Sequence, residues 1–83
     1  MTIKEFKFQY ALGSISKRRL ERIADKSTSK YILTTLSKDK NWLVRLQVAQ
    51  NLSAPLEVLA KLSKDKEWDV RDSVTRNPKW SDK

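Results

Sequence analysis

Leu36-Ser37-Lys38-Asp39-Lys40-Asn41-Trp42-Leu43-Val44-Arg45 and Leu62-Ser63-Lys64-Asp65-Lys66-Glu67-Trp68-Asp69-Val70-Arg71 are two versions of one segment, 26 residues apart. Extended outward, residues 27–51 and 53–77 share 12 identities in 25 positions, among them Leu33/Leu59, Val48/Val74 and Asn51/Asn77. Self-similarity at a fixed period marks a chain that reuses one supersecondary unit, each copy burying its apolar face against its neighbour. Apolar positions inside the unit recur at helical spacing, so each copy is expected to be a pair of short helices and the fold all-α.

In the second copy Ser53 or Ala54 is expected to cap the first helix, Pro55 to suit its first turn and Glu57 to favour its positive end. Leu56, Leu59, Ala60 and Leu62 then share one face, with Glu57, Lys61 and Lys64 opposite. Asp39 and Asp65 are the expected N-caps of the second helices, where Val44 and Val48, or Val70 and Val74, lie four apart. Asn51 and Asn77 are expected to close them in the left-handed conformation, with Pro78 as a stop.

The copies follow a different N-terminal third. Ser14 to Lys26 reads as a helix with Ser16, Leu20, Ile23, Ala24 and Ser27 in one arc and Arg18, Arg19, Arg22 and Lys26 about 140° away. Further upstream, Phe6, Phe8, Tyr10 and Leu12 alternate with polar or small residues as in a strand, while Ile3, Phe6 and Tyr10 equally fit a short helix ended by Gly13. That segment is assigned only as an apolar arm. The chain is thus expected to form one domain over residues 1–83: arm 1–13, basic helix 14–26, first repeat 27–52, and second repeat 53–80 acting as C-terminal cap.

The run Leu-x-x-Leu-x-x-Asp, then Val-Arg-x-x-Val, then Asn and a Pro-containing turn resembles the variant leucine-rich repeats and the bacterial HEAT-like helical repeats, over residues 27–80. The resemblance implies a short right-handed α-solenoid. It also implies that Arg45, Arg71, Asp39 and Asp65 form a ladder between stacked units. The sequence departs from the pattern in its 26-residue spacing and in Asn51-Leu52, where the second copy has Asn77-Pro78.

Composition bounds the chemistry. The chain has no cysteine and no histidine, which removes thiolate and iron–sulfur ligation along with the commonest general base and metal ligand. Gly13 is the sole glycine, so no glycine-rich phosphate loop exists. No enzyme, no cofactor and no small-molecule substrate are expected. The absence of an 18-residue apolar run or a signal-type apolar stretch points to a cytoplasmic protein without membrane contact.

Eighteen basic against ten acidic residues give +8 and favour an acidic partner. Residues 1–30 carry +5 of that charge. The expected function is therefore a binding module for an acidic protein surface, a role that accommodates an accessory subunit or inhibitor of a nucleic-acid-handling complex; direct, sequence-nonspecific binding of DNA or RNA through the basic helix is the alternative. The candidate contact residues are Lys17, Arg18, Arg19, Arg22 and Lys26, with Leu46, Gln50 and Arg76 on the second helices. Trp42 and Trp68 are expected to wedge between units and Trp80 to cover the last. The changes Leu43/Asp69, Leu46/Asp72, Ala49/Thr75 and Gln50/Arg76 mark the second copy as the end of the stack. Two copies are fewer than such stacks need. Phe6, Phe8 and Tyr10 are accordingly expected to cover the open end of the first copy or to join two chains as a homodimer.

Overall fold

A computed structural model describes residues 1–80. Among them lie six helices and no strand: α1 (Ile3–Leu12), α2 (Lys17–Lys26), α3 (Lys30–Leu36), α4 (Trp42–Gln50), α5 (Leu56–Leu62) and α6 (Trp68–Arg76). The bounds of α5 and α6 are those of α3 and α4 displaced by 26 residues. Helices α2, α4 and α6 form one layer, with α4 packed against both others, while α1, α3 and α5 lie behind it.

The helical alternative holds for the apolar arm. Thr2 and Glu5 form a reciprocal cap: the Thr2 hydroxyl accepts from the Glu5 amide at 3.1 Å, and the Thr2 amide donates to Glu5 Oε1 at 2.7 Å. Gly13 ends α1 at φ 69°, a left-handed position that suits a residue without Cβ. Helical spacing brings Phe6 and Tyr10 onto one face, their rings stacked 5.3 Å apart, with Phe6 fully buried. Phe8 points the other way and is 68% exposed. Phe6 and Tyr10 thus cover the first unit, and Phe8 does not.

The core draws on both layers. Leu33, Leu36 and Leu59 pack from behind against Val44, Val48, Val70 and Val74, all fully buried. Burying a side chain of this size contributes about 1.5–3 kcal/mol.

Two capping expectations are corrected. The second helices start from Asn41 and Glu67, not from Asp39 and Asp65. The aspartates sit two residues earlier, where Asp39 Oδ1 accepts the Asn41 amide and Asp65 Oδ1 the Glu67 amide. These bonds form local turns and leave each Oδ2 free to face another element. Helix α5 likewise starts from Pro55, without a side-chain cap.

Asn51 and Asn77 are extended, at φ −77° and −73°, and not left-handed. Their side chains act instead. Asn51 Nδ2 donates to the carbonyls of Ala24 and Ser27, both at 2.8 Å. Asn77 Nδ2 donates to those of Ala49 and Asn51 at 2.8 and 3.1 Å. Each asparagine therefore ties the end of its own helix to the end of the preceding one in the layer, α4 to α2 and α6 to α4, and supplies a donor to Ala24 and Ala49, whose carbonyls lie in the last turn of their helices.

Candidate functional site

Helix α2 carries the charge that composition pointed to. Ser16 caps it, its hydroxyl accepting the Arg19 amide at 3.2 Å. Leu20 and Ala24 face inward and are buried, with Ile23 half-buried beside them. That orientation leaves Lys17, Arg18, Arg19, Arg22 and Lys26 exposed. The first turn holds no acid and three cations, Lys17, Arg18 and Arg19. A helix N-terminus carries the positive end of the dipole and disfavours cations by about 0.3–1 kcal/mol each. Arg18, Arg19 and Arg22 make no ion pair among the described residues.

The stripe is shorter than sequence spacing suggested. Lys26 lies 3.5 Å from Asp25, both ends solvated, a pairing of small energetic consequence but one that offsets its charge. Arg22 shares a shallow depression between α2 and α4 with Glu21, Asp25 and Gln47.

Beside the N-terminal end of α2 opens a cleft of about 470 Å³. Ala11, Leu12, Ile15 and Leu20 give it apolar walls, and Lys17 and Lys40 are its cations. Tyr10 and Asp39 also line it, the phenol donating to Asp39 Oδ2 at 2.5 Å. Burial, then the bond to Asp39 and its charge, push the Tyr10 hydroxyl up to about 12.

The other three candidate residues do not join this surface. Leu46 is half-buried against the core and offers no free apolar grip. Gln50 is exposed at the end of α4. Arg76 is exposed but paired at 2.9 Å with Asp72, one turn earlier on α6.

The expected ladder exists at one junction only. Arg45, 7% exposed, donates from Nε and Nη2 to the two carboxylate oxygens of Asp65 at 2.8 and 3.1 Å, and from Nη1 to its own unit's Asp39 carbonyl at 2.7 Å. Burial raises the Asp65 pKa, but hydrogen bonds from Arg45 and the Glu67 amide, with the Arg45 charge, outweigh it and hold the carboxyl below its ordinary value. Asp39 faces Tyr10 instead of an arginine. Arg71 repeats only the bond to its own unit, Nη1 to the Asp65 carbonyl. The tryptophans also divide: Trp42 and Trp80 pack against the core, whereas Trp68 is 63% exposed, which overturns its assignment as a wedge.

The described residues contain no helix long and apolar enough to cross a membrane, and no cluster of three or more histidine, cysteine or acidic residues suited to a metal. No protein-family model matches the chain, and neither curated proteins nor solved structures give a match.

Proposed function

We propose that the chain is a non-enzymatic binding module, a short right-handed α-solenoid of the HEAT-like or variant leucine-rich kind, that engages an acidic surface of a protein partner through α2. The 26-residue displacement between α3–α4 and α5–α6 and the recurring asparagine tie support the solenoid reading. One observation carries the functional reading. Lys17, Arg18 and Arg19 occupy the helix end that repels cations, and neither arginine is paired with a carboxylate among the described residues. A partner's carboxylates relieve that repulsion, and bidentate arginine contacts supply orientation.

The adjoining cleft favours protein over nucleic acid. Its apolar walls suit an aliphatic or aromatic anchor of a partner, the usual centre of a protein interface. Base stacking needs exposed aromatic rings, and α2 carries none: the exposed rings are Phe8 on α1, Tyr31 on α3 and Trp68 on α6.

Affinity purification from the native host with nuclease present, at two salt concentrations, tests the reading. The expected result is a protein retained by the wild type and lost by the Arg18→Gln/Arg19→Gln/Arg22→Gln variant. Recovery of nucleic acid alone, with affinity falling steeply on a log–log plot against salt, replaces this reading with the phosphate-binding one.

A further inference from the structure

The geometry points to a second docking surface at the opposite end of the layer: Trp68, Arg71 and Thr75 of α6 form a receptor for a helical segment of another protein that presents a carboxylate to Arg71. The inference uses the layered arrangement of helical pairs and is independent of α2 as a binding site. At 100° per residue these three side chains span an arc of about 60° on α6. Their counterparts one unit earlier, Trp42, Arg45 and Ala49, show what that arc does when covered. Trp42 packs on the core, Ala49 is fully buried, and Arg45 grips Asp65 of the following unit with both Nε and Nη2.

On α6 the same arc is prepared but uncovered. Arg71 is fixed by its Nη1 bond to the Asp65 carbonyl, and among the described residues nothing accepts from its Nε or Nη2. The edge that bonds a carboxylate in Arg45 is therefore already oriented, so a ligand need not bear the cost of ordering it. Trp68 stands 63% exposed one turn away. Thr75 turns its hydroxyl back to the Arg71 carbonyl at 3.2 Å, so its polar atom is satisfied within α6 and does not oppose burial. Asp72 is paired with Arg76, and Asp69 lies about 160° around the helix from Arg71, so neither acid shares the arc.

A carboxylate is favoured over a phosphate because the internal pair is the template: Arg45 meets Asp65 through a turn and the helix after it. A second copy of this chain is a poor occupant. The acid it would offer from its exposed end, Asp39, already accepts the Tyr10 hydroxyl and the Asn41 amide.

The test is a titration of isotope-labelled full-length chain with a synthetic peptide of residues 53–77, the element that covers Arg45 internally. The Trp68 indole and Arg71 Nε–H nuclear resonance signals are expected to move and saturate. The Asp65→Asn peptide is expected to bind about tenfold more weakly, the effect of losing one charge-assisted bidentate contact. The peptide comparison leaves the chain itself unaltered, so misfolding cannot mimic it. The α2 triple variant is expected to bind the peptide unchanged, which separates this inference from the function proposed above. Equal affinity for both peptides, or no movement at millimolar peptide, overturns the inference. So does an oligonucleotide that moves these signals when the peptide does not, a doubled mass without peptide, or a chain ending at residue 80 whose Arg71 signal differs from that of the intact chain.

Discussion

The junction of α2 with α4 and that of α4 with α6 are built on the same backbone tie but on different charge chemistry. At both, an asparagine bonds two carbonyls at the C-terminal end of the preceding helix of the layer. At the later junction a buried arginine meets a buried carboxylate; at the earlier one the aspartate receives the Tyr10 phenol of α1, and the arginines of α2 stay exposed. The tie tolerates the change because it depends on where helices end, whereas the ion pair depends on two particular side chains.

That contrast predicts unequal costs. Asp65→Ala strands the Arg45 guanidinium without its partner and is expected to cost about 3–5 kcal/mol in denaturant unfolding. Asp39→Ala removes a phenol bond and a turn bond and is expected to cost about 1–2 kcal/mol. Equal losses contradict the distinction between the junctions. Lowering the pH sharpens it. Because the folded Asp65 carboxyl titrates below its ordinary 3.8, its contribution is complete above that value and disappears as pH falls through the folded one. The stability gap between wild type and Asp65→Ala is expected to begin narrowing below about pH 4 and to shrink further as the pH falls through the lower folded value.

The asparagines come next. Asn51→Ala strips the Ala24 and Ser27 carbonyls of their donor and Asn77→Ala that of Ala49, while the Asn51 carbonyl keeps the Ala54 amide; each is expected to lose about 2–3 kcal/mol, alike within about 1 kcal/mol. A near-neutral Asn51→Ala contradicts the shared tie.

Tyr10→Phe is a smaller step, about 1 kcal/mol. The folded phenol is raised from 10.0 to about 12, so its contribution is intact below about pH 10 and is lost as pH climbs towards 12. Ultraviolet titration of wild type and of Tyr10→Phe is expected to show a late phenolate transition, near pH 12, in the wild type that the variant lacks. A Tyr10 transition at the ordinary 10.0 removes the Tyr10–Asp39 bond from the account.

Smallest is the effect of Arg18→Gln, Arg19→Gln or Arg22→Gln on folding, within about 0.5 kcal/mol and in the stabilising direction at the two first-turn positions. A large loss in any of them makes that arginine structural.

Much of this was legible in the sequence. The 26-residue period aligned Leu33 with Leu59 and Leu36 with Leu62, all buried, and helical spacing paired Val44 with Val48 and Val70 with Val74. The basic face of α2 was legible for the same reason. The face assigned to α5 was only half right, since Leu56 and Ala60 are exposed and Val58 is buried in their place. What escaped depends on neighbours in space. Nothing in the spacing of Asn51 distinguishes a left-handed cap from a side chain reaching back to Ala24, 27 residues away. Trp42 and Trp68 hold equivalent repeat positions yet differ in burial, since α6 has no following unit among the described residues. Leu43 and Asp69 face solvent in both units, so that substitution says nothing about the end of the stack, while Ala49/Thr75 falls on the face that changes from covered to open.

The most direct test of α2 as the binding surface compares wild type with the Arg18→Gln/Arg19→Gln/Arg22→Gln chain in nuclease-treated purification from the host. The account predicts a protein that survives moderate salt with wild type and is absent with the variant. The same protein recovered equally with both chains contradicts it.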